Sequence, residues 1–222
     1  MTDFTSADLL ARMKDTLQLG DNYEGSTDTS LYQLLSNGQR RVLAEIAAVC
    51  PWVNYPVPEQ LTTADSGVTY TLAAYPVGPI ELRDGRTGPI LLPTADWDAG
   101  SDGYLFEAGS KTIRFPSNTT RTFTNGLWAR YVPEPAALSA TVEPTIKPPR
   151  ATIAVVYDAC AEWALQGGYK DPAPYRALRS LELWGDPNTG GVGLIPLLRQ
   201  QESGMGGGAE GAWWRVGAWI QG

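Results

Sequence analysis

Leu31-Tyr32-Gln33-Leu34-Leu35-Ser36-Asn37-Gly38-Gln39-Arg40-Arg41-Val42-Leu43 is the stretch on which the reading of this chain turns. Leu31, Leu34, Leu35 and Val42 recur at three- and four-residue intervals, and Ile46 and Val49 continue the series. That spacing predicts one long amphipathic helix, opened by Ser30 and ended by Pro51, which has no N–H to donate. Gly38 stands on the apolar stripe itself. Glycine destabilises a helix interior by about 1 kcal/mol relative to alanine, so its place on the buried face predicts a second backbone packed close against it. Asn37, Gly38, Gln39 and Arg40 are therefore candidate helix-packing or subunit-interface residues, and Arg40 and Arg41 could hold an acidic neighbour or a solvated helix face.

Upstream, Thr5-Ser6-Ala7-Asp8 offers capping side chains and an early acid. Leu9, Leu10, Met13 and Leu17 then predict a first helix running to Gly20, followed by a polar loop from Asp21 to Thr29. Residues 1–51 thus read as N-terminal helices.

Downstream, from Trp52 to Pro135, the pattern changes to period two. Val68, Tyr70 and Leu72 alternate with Thr69, Thr71 and Ala73, and Ile80 and Leu82 with Glu81 and Arg83 before an Asp84-Gly85 turn. Tyr104 to Phe106, Ala108 to Ser110 and Lys111 to Phe115 read as a hairpin, and Leu127 to Val132 as a last strand. Residues 52–149 are an antiparallel β insertion with long loops that ends in a proline-rich bridge, Pro133 to Pro149. Helix returns in 150–185 as a hairpin. Its first arm carries Ile153, Val156, Tyr157, Cys160 and Trp163 up to Gly167-Gly168, and its second runs from Asp171-Pro172 through Tyr175, Leu178, Leu181, Leu183 and Trp184 to Gly185. From 186 to 222 the chain reads as an extended tail: a loop, a short apolar piece from Leu194 to Gln201, a glycine-rich linker from Ser203 to Gly211, and a tryptophan-rich end. The expected class is α+β. One domain over 1–185 has two N-terminal and two C-terminal helices framing a small antiparallel sheet, and a flexible C-terminal tail follows.

Composition narrows the function. The 222 residues are 43% apolar but only 18% charged, and 8 are Trp, against roughly 25% charged in ordinary domains. Few charges and many indoles point to surface buried against other chains. Histidine is absent, which removes histidine-based triads, histidine metal ligands and imidazole acid–base chemistry. Cys50 and Cys160 lie far apart in helical apolar patterns and read as buried free thiols. No enzyme, cofactor or metal is expected. A net charge of −7 opposes tight non-specific binding of DNA. No stretch approaches the ~18 consecutive apolar residues of a membrane helix, and Met1 to Gly20 has no signal-peptide core. The expectation is a soluble protein made in a cytoplasm, without a membrane partner.

Several of these segments, in this order, resemble the head–tail adaptor (connector) proteins of tailed bacteriophages. Ser36-Asn37-Gly38-Gln39-Arg40 stands where that family's helix reads Leu-Asn-x-Gly-Gln-Arg-like polar residues between apolar stretches. Val68 to Leu72 resembles the family's first strand, and Lys111-Thr112-Ile113-Arg114-Phe115-Pro116 its x-Ile-x-Phe/Tyr-Pro strand. Leu127 to Leu138 resembles the strand that ends in Tyr, Pro and Leu, and 151–168 with 172–184 the closing helical hairpin. Each piece is a packing pattern; their shared order, over roughly Thr5 to Trp184, carries the resemblance. It implies a structural virion protein, a dodecameric ring between capsid and tail that docks on the portal and meets a tail or neck protein. Genomic DNA would pass through its channel without specific binding. It implies a place in the virion neck and synthesis in the bacterial host cytoplasm.

The tryptophan-rich end has no counterpart in that family's pattern. Trp214, Val216, Ala218 and Ile220 alternate with Trp213, Arg215, Gly217 and Trp219 as a strand added to a partner's sheet would. Trp213, Trp214, Arg215, Val216, Trp219 and Ile220 are accordingly candidate portal-binding residues. Other signals are weaker. Asp96 to Gly103 reads as an Asp/Gly turn, because a calcium loop from Asp98 would meet Gly100 and Gly109 where acids are needed. Asn118-Thr119-Thr120 is a glycosylation sequon in letters only, and Gly204 to Gly208 lacks the Lys-Ser/Thr of a phosphate loop. Trp52, Trp97 and Trp128 with nearby tyrosines frame the alternative, a carbohydrate-binding or receptor-binding β-rich module of a phage tail, although Trp128 in its alternating strand reads as core.

Overall fold

A computed structural model of the chain describes residues 4–19, 27–56, 58–61, 63–65, 69–93, 103–115, 123, 126–167 and 170–205. Helix α1 (Ser6–Leu17) starts on a reciprocal cap. The Thr5 hydroxyl accepts from the Asp8 amide at 3.1 Å, and the Asp8 carboxylate accepts from the Thr5 amide at 2.9 Å. The helix stops at Leu17, with Gln18 in the left-handed region (φ 55°), three residues before Gly20, to which the sequence pattern carries it. Leu9, Leu10, Met13 and Leu17 are buried as their spacing requires. Helix α2 (Asp28–Val49) begins earlier than Ser30. Thr27 is the cap and Ser30 its return partner: the Ser30 amide donates to Thr27 Oγ1 at 3.2 Å, and the Thr27 amide to Ser30 Oγ at 2.9 Å. Both residue types cap well, so the pair outcompetes Ser30 acting alone.

These helices form one compact unit, built from the described residues of 4–54 and 135–204; those of 55–134 form a second. In the first, helix α3 (Ala151–Gly167) packs against α1, α2 and helix α4 (Ala173–Trp184). Its buried side is Ala151, Ala154, Val155, Val156, Ala159, Cys160, Ala161 and Ala164, whereas Ile153, Tyr157 and Trp163 are only half-buried. This corrects the stripe expected from the large residues. A helix with three neighbours buries most of its circumference, and alanines let three axes approach while bulky side chains move to the rim.

The second unit holds two four-stranded antiparallel sheets where one was expected. Its strands are β1 (Glu59–Leu61), β2 (Thr63–Asp65), β3 (Thr69–Thr71), β4 (Glu81–Asp84), β5 (Ile90–Leu91), β6 (Leu105–Glu107), β7 (Thr112–Arg114) and β8 (Leu127–Arg130). They order as β1-β8-β4-β5 and β2-β3-β7-β6. Leu82 stands opposite Ala129, and Tyr70 opposite Ile113. The expected hairpin is present as β6 and β7 around a short 3-10 turn at Ala108–Ser110. A bridge between Pro93 and Tyr104 joins the β5 side to the β6 side, and both sheets contribute to one core of Leu61, Tyr70, Leu82, Ile113, Phe115 and Leu127. Period-two alternation reports which face of a strand is buried but not which strand it pairs with, so one core was legible and two sheets were not.

The segment from 186 onward is not all extended. Strands β9 (Gly185–Asp186) and β10 (Gly191–Val192) form a tight ribbon, and helix α5 (Leu194–Met205) follows. At Gly185 (φ 89°) a Cβ would lie 2.1 Å from the Gly191 carbonyl oxygen, so only glycine closes that ribbon. Leu194, Ile195 and Leu198 are buried at one-turn spacing, and Pro196 sits in the first turn, where a missing N–H costs nothing. The described residues thus form an α+β protein of five helices, with two small antiparallel sheets inserted between the N- and C-terminal helices.

Candidate interaction surface

The motif at the centre of α2 is read side chain by side chain within the helical unit. Ser36 Oγ accepts from the Leu138 amide at 2.8 Å, and Gln39 Oε1 from the Thr145 amide at 3.2 Å, so two α2 residues hold the proline-rich bridge. Between them a Cβ on Gly38 would lie 2.9 Å from the Val155 carbonyl oxygen and 3.5 Å from the Ala159 nitrogen. This is the close backbone approach that a glycine on the stripe calls for. Asn37 Nδ2 donates to Glu162 Oε1 at 3.4 Å. Arg40 lies on the exposed side, while Arg41 reaches Asp158 at 2.6 Å and also pairs with Glu162.

Asp158 links this crossing to α4. Its other oxygen meets Arg179 Nε at 2.7 Å, Arg179 binds Glu45 Oε2 at 2.5 Å, and the Trp184 indole donates to Glu45 Oε1 at 2.5 Å. Arg150 and Glu182 add a pair at 3.5 Å. The side of α4 that faces its own chain is therefore largely ionic, with Leu183 its buried apolar residue. The opposite side is apolar. Pro174, Ala177, Leu178, Leu181 and Trp184 fall on one arc of about 120° at 100° per residue. Leu178 is 39% exposed, and Leu181 and Trp184 are each 41% exposed. An amphipathic helix normally turns its apolar side to the core; α4 is inverted. The sequence reading used these apolar residues to carry the helix and did not place them outward. The signal was available, since Arg179 falls opposite them on the helix and Glu182 just beyond the Leu178 edge of the arc.

A cleft of about 130 Å³ opens between α1 and α3, lined by Arg12, Asp15, Thr16, Ile153, Val156 and Tyr157. Its floor is the apolar part of α3 that α1 leaves uncovered.

Among the described residues, no three Asp, Glu, His or Cys side chains gather as a metal site requires. Both cysteines are buried and outside any disulfide, and burial pushes the Cys160 thiol up to about 12, despite the nearby Lys170, which suits packing and not nucleophilic attack. No described helix is long and apolar enough to cross a membrane. Trp128 is half-buried on the face opposite Leu127 and Ala129, with the Arg86 guanidinium 5.6 Å over its ring. This corrects its reading as core. Trp52 lies in a 3-10 turn, Pro51–Asn54. Trp97, the Asp96–Asp102 turn, Asn118 and the candidate portal-binding residues Trp213, Trp214, Arg215, Val216, Trp219 and Ile220 lie outside the described residues. No family model matches the chain, and no curated protein matches it.

Proposed function

We propose that this chain is a structural virion protein, a head–tail adaptor whose copies form a ring on the portal and surround the DNA exit channel. The observation that carries this reading is the inverted α4. Its own chain holds it by ion pairs while Leu178 and Leu181 stay about 40% exposed on the other side, an apolar surface that a neighbouring subunit would cover. The low share of charged residues and the abundance of tryptophan agree with repeated burial between subunits. An acidic protein suits a channel wall that DNA slides past, because like charges keep phosphate from sticking.

Native mass spectrometry of the full chain, alone and mixed with the portal of its virion, tests the reading. A closed assembly, free or portal-dependent, is expected. A monomer indifferent to portal overturns it and directs attention to glycan binding. Removing residues 206–222 is expected to leave the ring intact and abolish portal capture; undiminished capture removes the tryptophan-rich end from the portal contact.

A further inference from the structure

We infer that α4 is a latched arm: it opens by itself while α1, α2 and α3 stay folded, and Arg179 is the latch. The inference does not depend on the ring reading. Eight of the 12 residues of α4 are exposed. The four that are not, Tyr175, Arg179, Glu182 and Leu183, fall on one arc of about 100°, and Leu183 alone among them is fully buried. So narrow an apolar strip gains little from docking, because the hydrophobic contribution scales with the area covered. Ion pairs supply the rest of the hold. The Arg179 guanidinium meets Asp158 of α3 at 2.7 Å and Glu45 of α2 at 2.5 Å, so one side chain ties α4 to two helices.

The seam is arranged so that opening strands no charge. Asp158 keeps Arg41 at 2.6 Å, and Glu162 keeps Arg41 too, with Asn37 at 3.4 Å. Glu45 already reaches water, and is hydrated when Arg179 and the Trp184 indole leave. Breaking an ion pair is costly chiefly when one charge is left buried alone; here none is. The surface uncovered on α3 is small as well. Ala154 and Ala161 lie one turn to either side of Asp158, away from the α2 contact at Val155 and Ala159, and their methyl groups expose little apolar area. Helices α1, α2 and α3 keep their packing on one another. Alone in water, a helix of 12 residues is too short to persist. Opening therefore melts α4, and its amides exchange with solvent while those of α3 stay protected.

Hydrogen exchange of the full chain, read by mass spectrometry on peptides from α3 and α4, tests this. In the parent chain α4 amides are expected to exchange about tenfold faster than α3 amides, or more. Arg179→Met removes the charge but keeps an unbranched stem of good helix propensity. It is expected to speed α4 exchange by a further factor of about ten, with α3 unchanged. Arg176→Met, at an exposed position of the same helix, is expected to change neither. Salt raised to about 1 M, where the Debye length is about 3 Å, should speed α4 exchange in the parent and have little effect in Arg179→Met. Equal rates in α3 and α4 that move together would mean that α4 opens only with the whole unit, and would overturn the inference. Equal acceleration by Arg176→Met would overturn it too, since helix propensity would then explain the effect. If Arg179→Met does not fold, the parent decides: α4 exchange indifferent to salt overturns the latch. Native mass spectrometry of the same sample reports the ring separately, so the failure of one reading leaves the other standing.

Discussion

A methyl group added at Gly38 gains the usual helix advantage of alanine, about 1 kcal/mol, but would lie 2.9 Å from the Val155 carbonyl oxygen. That oxygen belongs to the backbone of a helix packed on three others and has little room to yield. Overpacking of this kind costs roughly 1–3 kcal/mol, so the clash wins. Gly38→Ala is expected to lower the denaturation midpoint by a net destabilisation of order 1 kcal/mol; a variant as stable as the parent would show that α2 and α3 have slack at the crossing. The position was legible because a glycine on an apolar stripe is costly unless a second backbone needs the space. Its partners, Val155 and Ala159, were not, since nothing local to residues 31–43 indicates which of the later helices arrives there.

Helix α1 and the β9–β10 ribbon carry exposed aspartates whose carboxyls sit below the ordinary value of 3.8. The Thr5 amide and hydroxyl hold Asp8 down, and the Asn188 amide and Thr189 hydroxyl hold Asp186 down. The folded state thus favours the charged form. The stabilisation from each is present above the ordinary aspartate range and is lost as pH falls through the depressed folded value. Carboxyl chemical shifts of Asp8 and Asp186 should titrate with midpoints below 3.8, and a midpoint at or above that value would refute the capping role. The α1 cap was readable from sequence, because a cap lies within three residues of what it caps, whereas the segment at Asp186 reads only as a loop. The buried side of α3 and the orientation of α4 were not readable. Ile153 and Tyr157 have the right spacing for a stripe, yet three neighbouring helices made the alanines the better buried surface. Leu178 and Leu181 have equally good spacing, yet the ionic arc of α4 found its partners in Asp158 and Glu45 and left them outside.

At the scale of the whole molecule, surface left apolar by one chain is stabilised when another copy covers it. Assembly that binds only the folded state raises apparent stability with concentration. The melting temperature is therefore expected to rise with protein concentration, and to become independent of it in the variant with Leu178→Glu and Leu181→Glu; a flat dependence in the parent chain would show that the face remains uncovered. By itself the sequence determined the α+β class, the two N-terminal helices and their stripes, the hairpin of β6 and β7, and the need for a close approach at Gly38. Periodicity, caps and turns are local, and they do not depend on what packs against them. Tertiary structure alone decided the division into two units, the pairing of strands into two sheets, the conversion of 194–205 into helix and the inversion of α4. Each of those depends on partners far away in the chain, and which partner wins is settled by area, volume and charge only when all of them compete for the same space.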